Sequence, residues 1–208
     1  MRYLILLIFF IIHSITFSSF FSDATYYSGL NISNTRGFEL DLDKDSKRVA
    51  ITLGFLKSKM IHDNLYFQSG LFIAQRGTQN FYTENSNNIE QRWFLDYIEV
   101  PFLVAYEFPF NFDRVTFIAK HGFVLGYLFR YSQNKLTNRV VETNVPFDFD
   151  VNRQLVDIHF GFGFVKPLKQ KTFSMDIIYR LGLRGIGGSD LDIKNNSIDV
   201  VFGLKFGS

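Results

Sequence analysis

Histidines are the residues in this 208-residue sequence best suited to acid–base chemistry, and there are four of them. A serine two positions from a histidine on one β-strand would place a nucleophile beside its general base on the same face. None of the four histidines has a serine at that spacing. Asp157 and His159 have the spacing of an orienting carboxylate and a base, but a hydrogen bond inside the fold is the favoured interpretation. We therefore predict no catalytic residues.

Two further motifs could bind a metal or a phosphate group. Asp41, Asp43 and Asp45 alternate like calcium ligands, but the glycine and the distal glutamate of an EF-hand are missing. Residues 185–188 are rich in glycine, but no helix with a lysine followed by serine or threonine comes after them. The chain has no cysteine, which excludes disulfides and thiolate metal sites. The sequence thus predicts no metal site and no cofactor.

Composition restricts both the partners and the fold. The 22 basic and 20 acidic side chains give a formal net charge of +2, so no basic excess exists for a nucleic-acid partner. The 26 phenylalanines and 10 tyrosines bring the aromatic share to 18%. Aromatic residues favour β-strands and carry large apolar surfaces. A β-rich fold is therefore expected, with no nucleic acid bound.

The first segment has the features of an export signal. One positive charge at Arg2 precedes an unbroken apolar run over residues 4–12. This run fits the apolar region of a signal peptide, about 7–15 residues long, and is shorter than the ~20 residues of a membrane-spanning helix. Small residues follow, which places the cleavage at about residues 18–24. We predict a signal peptide over residues 1–22 and one mature domain over residues 23–208.

From residue 25 onward, polar and apolar residues alternate with a period of two, which is the pattern of β-strands. In the last strand, for example, Ile198, Val200 and Phe202 share one face, while Asp199 and Gly203 lie on the other. The alternation predicts eight strands, over residues 25–34, 48–60, 65–76, 92–107, 115–131, 154–165, 172–184 and 197–206.

The predicted connections alternate between short and long. Short ones are expected at residues 61–64, 108–114 and 166–171, and long polar ones at residues 35–47, 77–91, 132–153 and 186–194. This alternation is typical of outer-membrane barrels, which have short periplasmic turns and long outer loops. The sequence therefore predicts an all-β fold, a closed eight-stranded antiparallel up-and-down transmembrane β-barrel.

The apolar face of each strand should point outward to lipid. The interior of an eight-stranded barrel is just filled by side chains, so it cannot hold the many phenylalanines of that face. The other face combines glycines with charges of both signs, which a crowded interior tolerates when they are paired. We predict an interior charge network of Glu99, Lys120, Arg130, Asp157, His159, Asp176, Arg180, Arg184, Asp199 and Lys205. The alternative is a secreted, soluble, lipocalin-like barrel that binds a small apolar ligand.

Four segments in this order give the chain a family resemblance. Residues 95–103, Leu-Asp-Tyr-Ile-Glu-Val-Pro-Phe-Leu, are similar to the Tyr-Leu-Glu-Ile-Pro-Leu-Leu strand of the PorT-like, porin-family outer-membrane barrels of Bacteroidetes. Residues 122–128, 160–163 and 176–183 resemble the strands that follow it in that family. The resemblance covers nearly the whole mature chain and implies location in the bacterial outer membrane.

The family resemblance also sets expectations for function. It implies a non-enzymatic integral membrane protein with a structural or interaction role. Assistance to secretion or assembly at the outer membrane is one such role. The expected partners are outer-membrane lipid, the barrel-assembly machinery during biogenesis, and a protein that contacts loops 35–47, 77–91 and 132–153. A barrel enzyme that modifies lipids is a further alternative, which the missing serine–histidine spacing opposes.

Overall fold

The computed structural model describes residues 23–36, 44–84, 86–138, 140–147, 150–187 and 193–206. The predicted signal peptide, Asp41, Asp43 and Gly188 lie outside these described residues. Within them, no helix is long and apolar enough to cross a membrane. The secondary structure of the described part consists of β-strands joined by turns and irregular segments.

The described residues form ten strands, eight of which close into a ring. Around the ring the order is β1, β2, β3, β5, β6, β8, β9, β10 and back to β1, and every neighbouring pair is antiparallel. The predicted eight-stranded antiparallel barrel is confirmed. The bounds are β1 (Thr25–Arg36), β2 (Lys44–His62), β3 (Leu65–Arg76), β4 (Thr78–Glu84), β5 (Asn87–Phe112), β6 (Val115–Thr137), β7 (Val140–Val145), β8 (Gln154–Leu168), β9 (Lys171–Gly182) and β10 (Lys194–Phe206).

Strands β4 and β7 lie outside the ring and extend one side of the barrel beyond its mouth. Strand β4 pairs with the starts of β2 and β5, and β7 pairs with the end of β6. The expectation of irregular loops over residues 77–91 and 132–153 was therefore wrong in part. Ser86 and Asn138 have positive φ values of 65° and 47°. Such values suit the tight turns of β-hairpins, so these polar stretches continue the ladder rather than leaving it.

The short connections are tighter than expected. Strand β5 continues to Phe112, so the predicted turn over residues 108–114 reduces to Asp113 and Arg114, whose φ values are 48° and 61°. The turn between β2 and β3 likewise contains Asn64 in a left-handed conformation, with φ of 63°. Asparagine and aspartate tolerate this conformation better than most residues do. All the described short turns lie at one end of the barrel, here called the short-turn end; the opposite end is the loop end.

Gly77 separates β3 from β4 and interrupts the wall of the barrel. Its φ of 138° is strained for other residues, and an added Cβ would overlap the carbonyl oxygen of Trp93. Strand β2 pairs with β4 over residues 44–47 and with β3 from Thr52 onward, so the ladder has a gap over residues 48–51. The Ser33 hydroxyl donates to the carbonyl oxygen of Gly77 at 2.9 Å and accepts from its N–H at 3.0 Å.

Arg48, the register partner of Ser33 on β2, also fills this gap. Its guanidinium donates to the carbonyl oxygens of Arg76 and Trp93, and it lies 4.2 Å from the ring centre of Phe94. The backbone groups exposed by the break thus find side-chain partners. The wall stays closed where the ladder is missing.

Large apolar side chains point outward, and the interior is layered. Toward the short-turn end lies an apolar cluster of Tyr27, Leu56, Phe72, Leu103, Ile178 and Val201. Toward the loop end lies a second cluster of Trp93, Leu95, Tyr97, Leu128, Leu155, Ile186 and Ile193. Charged side chains occupy the space between these two clusters. The exterior is apolar, for example at Phe160, Ile177 and Phe202, which are about half exposed.

Phe160 and His159 test the assignment of faces, because they are neighbours on β8 with exposures of 47% and 3%. We expect Phe160→Arg to lower the free energy of unfolding in lipid vesicles by roughly 2–4 kcal/mol, the cost of a basic residue on the lipid face of a barrel. Urea titration measures this loss. A fluorophore at position 160, but not at 159, should be quenched by quencher-bearing lipid. Quenching at neither position would contradict a membrane barrel.

Candidate functional site: the interior charge network

Five charged side chains from five strands meet in the middle of the barrel. Arg76 of β3 lies 2.6 Å from Glu99 of β5 and 2.6 Å from Asp157 of β8. Arg180 of β9 pairs with the same Glu99 and lies 2.8 Å from Asp199 of β10. Each of these side chains is at most 3% exposed. We call these five residues the central network; Glu99 is its shared member.

The central network ties opposite walls of the barrel together. Strands β3 and β8, which carry Arg76 and Asp157, are three places apart in the ring of eight, and so are β5 and β9, which carry Glu99 and Arg180. Removal of a charge from water costs several kcal/mol unless a partner compensates it. Here each arginine contacts two carboxylates, so every member of the network has an oppositely charged partner, although three carboxylates face two arginines. The network can hold the barrel closed, but its groups are engaged with one another rather than with an open site.

A second ion pair lies closer to the short-turn end. The Lys120 ammonium of β6 donates to Asp176 of β9 at 2.7 Å and to the hydroxyl of Tyr27 at 3.4 Å. The same ammonium lies 5.3 Å from the Tyr27 ring centre, within the range of a cation–π contact. This pair lies in the layer of the apolar cluster that contains Tyr27 and Val201, because Asp176 is the register partner of Val201.

His159 is buried in the interior, but it does not form the expected pair with Asp157. The Asp157 carboxylate contacts Arg76 instead, at 2.6 Å. Among the described residues, neither ring nitrogen of His159 has a hydrogen-bond partner. The ring borders a cavity of about 10 Å³ beside Lys120 and Arg180, which is roughly the space of one water molecule. The orienting contact that a catalytic histidine needs is therefore missing.

Arg130 and Arg184 do not belong to the interior, so the prediction was wrong for these two. The Arg130 side chain is 73% exposed, because Phe129 is an extra residue in β6: Tyr97 pairs with Leu128, while the preceding Asp96 pairs with Arg130. A bulge of this kind shifts the strand by one residue and turns later side chains to the other face.

The second correction follows from a strand end. Strand β9 stops at Gly182, so the alternation that pointed Arg184 inward no longer applies, and its exposed guanidinium contacts the side chain of Gln154. Lys205 follows the inward alternation of Asp199 and Val201, but it is only partly buried because it lies at the short-turn end of β10. Alternation has predictive value only inside a regular ladder, and Arg184 lies beyond it.

Arg76 was missed by the sequence analysis, although it is central to the network. It is the last residue of β3 and has the same parity as Phe72 and Ala74, which both point inward. The period of two therefore contained the signal. Its position beside the predicted loop at residue 77 made it resemble a solvated residue at a strand end.

Of the other candidate motifs, Asp41, Asp43 and Gly188 lie outside the described residues. Within the described residues, no group of three or more histidine, aspartate or glutamate side chains could hold a metal ion. Asn31 and Ser33 are buried and donate hydrogen bonds to the backbone of Gln75 and Gly77.

Arg180→Ala tests whether the central network is buried and paired. We expect a loss of about 3–5 kcal/mol in the free energy of unfolding, because Glu99 and Asp199 would lose a partner inside the barrel. Arg130→Ala is the matched control, since it removes an exposed arginine and should change stability little. Urea titration in vesicles compares the two. A loss below ~1 kcal/mol for Arg180→Ala would indicate a hydrated interior.

No curated protein matches the chain in sequence. Among solved structures, neisserial surface protein A is 8% identical over 88% of this chain and 97% of its own, with a TM-score of 0.47. OprG of Pseudomonas aeruginosa is 13% identical over 88% and 94%, with a TM-score of 0.46. Ail of Yersinia pestis is 12% identical over 88% and 98%, with a TM-score of 0.35.

Residues 20–205 match the family model described as "Outer membrane protein beta-barrel domain". This match spans almost the entire barrel and agrees with its apolar exterior and charged interior. The soluble lipocalin-like alternative, which needs the opposite polarity, is therefore wrong. The chain belongs to the outer-membrane β-barrel domain family, and its location is the bacterial outer membrane.

Proposed function

We propose that this protein is a non-enzymatic barrel with a closed interior, which acts through the strands and loops at its loop end. The observation that carries the proposal is the filled interior, in which the central network lies between two apolar clusters. A wide solute pore does not fit an eight-stranded barrel packed in this way.

The loop end is covered by chain as well as by side chains. The N–H of Ile186 donates to the carbonyl oxygen of Ile193 at 2.6 Å, and its own carbonyl accepts from Asn152 at 2.8 Å. Ile186 and Ile193 are almost fully buried and pack with Trp93. The two ends of the connection between β9 and β10 therefore fold over the barrel mouth and support a closed interior.

The surface available for contacts is a sheet that rises above the barrel. It consists of the start of β2, β4, the start of β5, the end of β6 and β7. On β7, Val140 is 64% exposed and Val141 is 61% exposed. Exposed apolar residues on a regular sheet offer a surface that another protein can bury, which a polar loop does not.

The resemblance to PorT-like barrels of Bacteroidetes supports a more specific proposal. In it, residues 77–91 and 132–153 contact a protein that takes part in secretion or assembly at the outer membrane, and residues 35–47 contribute to the same surface. The barrel-assembly machinery would insert the chain during biogenesis. Under this proposal the interior stabilises the barrel, and the sheet that rises above it, here called the outer sheet, selects the protein partner.

Conductance across a planar lipid bilayer tests the closed interior. We expect no stable current steps from the folded wild-type protein, because ion pairs and apolar layers fill the interior. Heat-unfolded protein added at the same concentration is the control for detergent artefacts. Steady current steps seen only with folded protein would contradict a closed barrel.

Photo-crosslinking in intact cells tests the contact surface. A benzoyl-phenylalanine at position 140 should give adducts with an envelope protein of secretion or assembly, because Val140 is exposed on the outer sheet. The same label at position 177 is the matched control. Ile177 is similarly exposed, but it lies among the outward-facing apolar side chains of the barrel wall, here called the apolar belt. Equal adduct patterns at the two positions, or none at either, would argue against a protein contact at this sheet.

A further inference from the structure

Three arginines lie side by side on the outer surface at the loop end. Arg130 belongs to β6, Arg153 directly precedes β8, and Arg184 follows β9 by two residues. These strands are consecutive in the ring. We call these three residues the arginine row; all of them are exposed.

Backbone contacts place the three arginines at a similar height. The carbonyl oxygen of Arg153 accepts from Leu128, two residues before Arg130, at 2.7 Å. The N–H of Arg184 donates to Val156, three residues after Arg153, and its guanidinium donates to Gln154. The arginine row is thus continuous across three strands.

The row lies where the apolar belt ends. The outward-facing residues of β8 are apolar from Phe164 to Val156, and the next outward position is Gln154. On β9 and its extension, the outward apolar residues run from Phe173 to Leu183, next to Arg184. In a membrane barrel this boundary coincides with the headgroups of the lipid leaflet, and the loop end corresponds to the outer leaflet.

Aromatic residues at the same level support this depth. Arg153 donates to the hydroxyl of Tyr127 at 3.4 Å and lies 5.8 Å from the ring centre of Tyr131. Both tyrosines are exposed on the outer surface, as expected for the interfacial aromatic belt. The guanidinium of Arg153 is therefore held at the membrane surface rather than in the outer loops.

The charge of the arginine row is only partly compensated by the protein. Among the described residues, its ion pairs are limited to Arg130 with Asp96, at 3.9 Å. Arg153 and Arg184 donate to a hydroxyl and to an amide oxygen, which leave the positive charge in place. A guanidinium has five N–H donors, so these contacts leave donors of each arginine available to a ligand. Planar guanidinium groups match the oxygens of phosphate in a two-pronged geometry.

From these observations we propose that Arg130, Arg153 and Arg184 form a binding site for the phosphate groups of anionic lipids in the outer leaflet. The lipid phosphate compensates the charge that the protein leaves exposed. The acyl chains of the same lipid pack against the apolar belt below the row. The site lies on the exterior and is independent of the central network.

Spin-labelled lipids in phosphatidylcholine vesicles that contain the folded full chain test this site. The electron spin resonance spectrum separates lipid immobilised on the protein from free lipid. The wild-type protein should prefer spin-labelled phosphatidic acid over spin-labelled phosphatidylcholine by about five-fold or more, because one basic residue near anionic lipid contributes about that factor. The triple variant Arg130→Gln, Arg153→Gln, Arg184→Gln should lose most of the preference.

The double variant Lys59→Gln, Lys169→Gln is the matched control, because it removes exposed cations at the short-turn end. It should keep the wild-type preference. Gel mobility before and after heating verifies that each variant is folded, and the single variant Arg153→Gln replaces the triple variant if the latter does not fold.

Two results would overturn the proposal. The first is an unchanged preference in the folded triple variant, or in the single variant Arg153→Gln if that replaces it. The second is an equally strong preference for ionised spin-labelled stearate, whose carboxylate carries charge without phosphate; this result would reduce the effect to general attraction of anions.

Discussion

The pairing of Glu99 with both Arg76 and Arg180 is the interaction on which the interior depends. In a ring of eight strands the space between walls is narrow, so a charge on one wall is desolvated unless another wall supplies its partner. Five strands supply the central network. A shift of one residue in any of them would turn its charge to lipid and remove a partner from the network, so the network also favours one strand register.

Two irregularities adapt this regular ring to its loop end. Gly77 breaks the wall between β3 and β4, and Ser33 and Arg48 supply the hydrogen bonds that the ladder lacks there. The extra residue Phe129 turns Arg130 to the exterior. Beyond these points the strands leave the barrel and form a raised sheet. Both irregularities lie where the ring of eight strands ends and the raised sheet begins.

The charges inside the barrel and those on its exterior differ in how far the protein itself pairs them. Inside, charges of opposite sign pair with one another. Outside, the apolar belt ends at arginines whose charge the described protein compensates only in part. Charge that is balanced within the fold stabilises it, whereas charge left at the membrane surface is available to lipid headgroups.

The sequence alone determined the strand period, the eight-stranded ring, the outward direction of the apolar face and most of the buried charges, because alternation is a local property of a chain. Glu99, Lys120, Asp157, His159, Asp176, Arg180 and Asp199 were all placed on the inner face in this way. Only the tertiary structure decided that Asp157 pairs with Arg76 rather than with His159, since partners three strands apart leave no trace in spacing. It also decided the exterior position of Arg130 and the hairpins of β4 and β7, because bulges and ladder ends depend on the neighbouring strand.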